Sequence, residues 1–77
     1  MLSDTLATAA HYAIQHAPAG HCINLWLVPG GIAAEITAGP HRVQLGEDVA
    51  TWNDLQTRPN TLVSIIDRLV AIAGGQE

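Results

Sequence analysis

Residues 22–45 read CINLWLVPGGIAAEITAGPHRVQL. Apolar and polar side chains alternate here with a period of two, the mark of strands with one buried face. The pattern predicts strands over 22–28, 32–38 and 41–45, joined by Gly30-Gly31 and Gly39-Pro40. Gly-Gly is a favoured two-residue hairpin loop because both residues tolerate positive φ. That loop sets Pro29 opposite Ile32, Leu27 opposite Ala34, Leu25 opposite Ile36 and Ile23 opposite Ala38. A loop at Gly39-Pro40 sets Ile36 opposite Val43 and Ala34 opposite Leu45. A four-residue loop there keeps the same parity. Both turns send the branched aliphatic residues to one face. A slip by one residue would turn a whole strand's apolar set outward.

The same register composes the other face. Trp26, Glu35 and Gln44 fall in one row, Asn24, Thr37 and Arg42 in the next, and Val28 with Ala33 towards the first turn. A tryptophan among amide and charged side chains on an uncovered sheet has the composition of an interface patch. Asn24, Trp26, Glu35, Arg42 and Gln44 are therefore candidate partner-binding residues.

Outward from the sheet, residues 3–17 read as a helix with Ser3 or Asp4 as its cap. Its apolar stripe is expected at Leu6, Ala10, Ala13, Ile14 and Ala17, with Thr5, Thr8, Tyr12 and Gln15 facing away. Pro18-Ala19-Gly20 ends it. Residues 47–57 read as a short helix or helical turn capped by Asp48, with Val49, Trp52 and Leu55 on one side and Trp52 as a core anchor that closes one end of the sheet. Glu47, Asp48 and Asp54 make this the most acidic segment, a second candidate contact for a basic partner. Arg58-Pro59 breaks the pattern, because the residue before proline avoids helix. Asn60 then caps the clearest helix, 61–73. Its stripe is Leu62, Ile65, Ile66, Leu69, Ile72 and Ala73, widened by Val63 and Val70. Gly74-Gly75 stops it, and Gln76-Glu77 reads as a tail.

The expected fold class is α+β: a two-layer sandwich of order α-β-β-β-α(α), with a three-stranded antiparallel meander covered on one face by two helices. Residues 1–77 form a single domain in this reading. A chain of 77 residues buries only ~60–65% of its unfolded surface. With no Phe, the core rests on Ile, Leu, Val and Ala.

Seven acidic residues face three Arg and no Lys, for a formal charge of −4. Nucleic-acid binders need clustered cations to displace counterions, so direct nucleic-acid contact is not expected. Nor is an anionic membrane. A basic protein surface suits this charge. The order α-β-β-β-α is shared with the double-stranded-RNA-binding domain, but that family carries Lys-rich segments at its last helix. Here the equivalent stretch is Arg58-Pro59-Asn60-Thr61, and the likeness stops at outline. One cysteine, Cys22, forms no internal disulfide and reads as a small buried hydrophobe. No leader pattern or bilayer-length apolar run is visible, so the expected location is cytoplasmic.

Chemistry-bearing motifs are absent. His11 and His16 sit about 140° apart on a helix, not at the i, i+4 spacing of a helical metal pair. His21 and His41 stand at the ends of strands that are not neighbours. There is no GxSxG, P-loop or GxGxxG, and Pro29-Gly30-Gly31 opens no helix. No enzyme activity, cofactor or metal is expected. The reading from sequence is a small acidic protein-binding module. Its most concrete form is a phage- or mobile-element-type inhibitor of a bacterial protein or nucleoprotein complex, anti-CRISPR-like, that blocks a partner surface. The alternative is a homodimeric structural or accessory subunit using the open sheet face. A small enzyme or metal-binding protein ranks third.

Overall fold

The computed structural model describes the backbone of residues 2–75 and the side chains from Asp4 to Gly75. A cap made by the Ser3 side chain and the tail Gln76-Glu77 lie outside the described residues. The order is α1 (Leu2–His16), β1 (His21–Val28), β2 (Gly31–Ala38), β3 (Val43–Thr51), α2 (Trp52–Thr57) and α3 (Thr61–Gly74). The strands form an antiparallel meander in the order β1-β2-β3. The helices pack on one side of it, giving the α+β sandwich that the periodicities predict.

The inner face holds the residues assigned to it, but in shifted pairs. Leu27 faces Ile32, Leu25 faces Ala34 and Ile23 faces Ile36. The β1–β2 register therefore sits two residues from the Gly30-Gly31 reading, and parity survives because the shift is even. The turn is Pro29-Gly30, and neither residue takes a positive φ. Proline supplies the φ of the first central position of a type I turn and has no N–H for a ladder. Gly31 belongs to β2 instead, at φ 154°. A Cβ there would run into the Ala50 carbonyl oxygen of β3.

The second connection is the four-residue loop 39–42, closed by the Arg42 N–H donating to the Gly39 carbonyl at 3.1 Å. Arg42 lies in this loop at φ 52°, not in a strand row. Ala38 pairs with Val43 and Thr37 with Gln44, but Ile36 pairs with Gly46. Leu45 is the extra residue of a β-bulge, and its side chain packs against the core. Past it the parity of β3 reverses, so Gly46, Asp48 and Ala50 share the helix side while Glu47, Val49 and Thr51 face out.

β3 extends through Thr51, which corrects the helix expected from residue 47. An eight-residue central strand can be paired along both edges, and Glu47–Thr51 completes the ladder on Glu35–Gly31. Thr51 is the true cap of α2: its hydroxyl accepts from the Asp54 N–H at 3.1 Å. Asp48 caps nothing. Asn60 does occupy the cap position of α3, without a side-chain hydrogen bond. The Thr61 hydroxyl donates to the Arg58 carbonyl there at 2.7 Å.

Ile32, Ala34, Ile36 and Ala50 from the sheet meet Leu62, Ile65, Ile66, Leu69 and Ala73 of α3 in one core cluster. α1 joins it through Ala9 and Ala13, packed against α3. The buried stripe of α1 is thus turned by about one residue from the predicted one. Alanines four apart let two helices approach closely, and Tyr12, expected to face away, reaches α3 instead. Ala10 is exposed and Ile14 is 80% exposed. Coverage of β1 is partial: Ile23 and Leu25 are half-buried, and Leu27 is 66% exposed.

Candidate functional site: the open face of the sheet

Three cross-strand rows make up most of the face opposite the helices, beside the turn-end row of Val28, Gly31 and Thr51. Trp26, Ala33 and Val49 form one, Asn24, Glu35 and Glu47 the next, and Cys22, Thr37 and Gln44 the third. The face has the membership read from the sequence for β1 and β2, but its rows differ because of the two-residue shift and the bulge. Trp26 stands beside Ala33 and not beside Glu35. Ala33 and Thr37 are buried although no helix lies over them. Small side chains on the central strand sit between longer ones on both edge strands, which shelter them.

Glu35 is the polar centre. Its Oε1 accepts from Asn24 Nδ2 at 3.2 Å and its Oε2 from Gln44 Nε2 at 2.6 Å. Two amide donors hold the carboxylate upright between the strands. Glu47 stands directly opposite it. Among the described residues no cation pairs with either acid, and the one salt bridge is Arg68 Nη2 to Asp48 Oδ2 at 2.8 Å, on the helix side. Cys22 is exposed on this face, not buried as its residue type suggested. At the turn end, the Trp52 indole N–H donates to the Pro29 carbonyl at 2.9 Å, and the Trp52 backbone N–H to Gly30. Trp52 therefore closes the sheet end, but at 37% exposure it is not the core anchor expected.

The acidic segment does not act as one patch. The bulge sends Glu47 outward and Asp48 to the helix side. Asp48 and Asp54 instead line a cleft of about 460 Å³ with Arg58, Ser64 and Arg68. Its charges are mixed, two acids against two guanidinium groups, so it lacks the single sign that draws a basic partner. Arg42 sits apart from both places in the 39–42 loop. Val49, 43% exposed beside Ala33, belongs to the open face and was missed. Its neighbours in sequence read as a helix, and only the bulge reveals its side.

Among the described residues no three His, Cys, Asp or Glu side chains gather as a metal-holding group. The His21 ring lies 2.9 Å from the Ala19 carbonyl through Nδ1, a local contact. No helix among the described residues is long and apolar enough to cross a membrane. The chain matches no family model, no curated protein and no solved structure.

Proposed function

We propose that this chain is a non-catalytic protein-binding module that docks its open sheet face on a cationic protein surface. The observation that carries the reading is the opposed pair Glu35 and Glu47, left without a cation on an uncovered face. Like charges directly opposite destabilise a sheet. A Lys or Arg contributed by a partner would relieve that repulsion and gain two carboxylates at once. Trp26, 38% exposed in the adjoining row, offers the apolar anchor on which such interfaces depend, and its ring also attracts guanidinium groups. A second copy docked face to face would instead bring four carboxylates together, which disfavours the open face as a homodimer surface. Occupying a partner's basic surface is inhibition when that surface has another ligand. An inhibitor of mobile-element type is the sharpest form of the proposal, and it rests on size and charge.

The test is affinity capture from a bacterial extract with the wild-type chain and three variants. Trp26→Ala and the double variant Glu35→Gln/Glu47→Gln should release the captured partner, and added salt should weaken capture by the wild type. Asp54→Asn, in the cleft on the other side, should retain it. Capture that survives both open-face changes and fails with Asp54→Asn would overturn the proposal.

A further inference from the structure

The edge of β1 is unguarded. Natural sheets protect free edges with charges, prolines, bulges or covering elements. β3 follows that rule with Glu47, Asp48 and the bulge at Leu45. β1 reads HCINLWLV, carries no acid, Lys, Arg or proline, and pairs with β2 without a break. Its outward backbone groups can be assigned. The Gly39 N–H donates to the Gly20 carbonyl at 3.0 Å, so the hydrogen-bonded pairs of this ladder fall on the even residues of β1. In an antiparallel ladder the intervening residues point their N–H and C=O the other way. Ile23, Leu25 and Leu27 therefore direct theirs off the sheet. The same three carry the inner-face side chains that α1 leaves partly uncovered. Beside them lies an apolar cleft of about 180 Å³ lined by Leu6, Leu25, Trp26, Leu27 and Ile32.

We infer that this edge pairs with the β1 edge of a second copy, antiparallel about a two-fold axis through Leu25. Self-complementarity selects the occupant. Residues opposite one another share a face, so Leu25 meets Leu25 of the partner subunit, and Leu27 meets the partner's Ile23. On the open side, Trp26 meets the partner's Asn24. Each of Ile23, Leu25 and Leu27 then both donates and accepts a backbone hydrogen bond. Two chains of charge −4 repel one another least along a strand free of carboxylates, and β1 is the edge of this sheet that has none. The contact is isologous, so it closes at two copies. The acidic, bulged β3 edges at both ends stop further growth. This dimer does not depend on the cationic-partner reading, since it uses the strand edge and leaves the open face free.

Light scattering after size-exclusion tests it on the intact chain. The expected mass is twice 8.1 kDa, falling to the single-chain mass on dilution. Leu27→Lys, at an exposed position the fold tolerates, should give the single-chain mass at every concentration. Asp54→Asn, in the helix-side cleft, should leave the doubled mass in place. Amide hydrogen exchange on the wild type gives a readout that needs no variant. The Ile23, Leu25 and Leu27 N–H groups should be slow in concentrated samples and fast in dilute ones. A single-chain mass at millimolar concentration overturns the inference. So does a dimer in which those three amides exchange freely, because its contact must lie elsewhere.

Discussion

Glu35 of β2 and Glu47 of β3 face each other across one rung of the ladder, on the side no helix covers. Their repulsion is a local cost kept in the folded state. Replacing Glu47 with Lys turns it into attraction and should raise stability by about 0.2–1 kcal/mol, the scale of cross-strand charge pairs. Urea unfolding reads this as a higher midpoint. The same variant should capture the partner poorly. A Glu47→Lys chain that is both less stable and fully competent in capture contradicts the assignment of this pair.

Adjacent glycines at the first turn should respond oppositely. Gly31→Ala places a Cβ into the Ala50 carbonyl at a φ that side chains rarely adopt, and should cost about 2–4 kcal/mol. Gly30 has open space around its Cβ position. Gly30→Ala should be neutral or stabilising by up to ~1 kcal/mol, through the unfolded chain. Equal losses at both positions would contradict the Pro29-Gly30 turn.

Ile14 and Ile66 test how α1 is rotated. Ile66 is fully buried in the core and Ile14 points to solvent. Ile66→Ala should cost about 2–5 kcal/mol, a large share of the ~4–12 kcal/mol that a domain of this size holds. Ile14→Ser should stay within about 0.5 kcal/mol. Thermal melts of the two variants side by side decide it.

Tyr12 gives a spectroscopic check on the α1–α3 contact. Its hydroxyl donates to Asp67 Oδ1 at 2.8 Å. That bond, with desolvation and the carboxylate's charge, holds the phenol above the usual tyrosine range. A raised folded value favours the protonated form. Its stabilisation is therefore complete below the unfolded pKa of about 10 and disappears as pH rises through the folded value. As this is the sole tyrosine, absorbance at the phenolate band should show its titration late in the wild type and earlier in Asp67→Asn. Identical titrations would remove the contact.

Parity was the most legible property of this chain. Alternation over Ile23–Leu27 and Ile32–Ile36 assigns faces whatever the loop length, provided the shift is even. Register was less so, since Pro29 and Gly31 compete for the turn and the Ala50 carbonyl that excludes a side chain at 31 is distant in sequence. Gly46, beside the bulge at Leu45, reads as readily as a strand end as a bulge marker, and with that ambiguity went the sides taken by Glu47, Asp48 and Val49. Ile14 misled because helical spacing fits two stripes on an Ala-rich helix, and packing on α3 chose Ala9 and Ala13. Of the candidate site, Asn24, Trp26, Glu35 and Gln44 share the open face as read. The amide clamp on Glu35 and its opposition to Glu47 required the real register.

A single supernumerary residue in β3 has an outsized effect on charge. By reversing parity at Leu45, it hands one of two consecutive acids to a guanidinium on α3 and leaves its neighbour unneutralised on the opposite side. Were the same sequence paired without the bulge, Glu47 would fall opposite Ala34 on the helix side and Asp48 opposite Ala33 on the open face, whereas deleting Leu45 would keep Glu47 opposite Glu35. The bulge, and not the composition of charge, thus decides which carboxylate the molecule shows to the world.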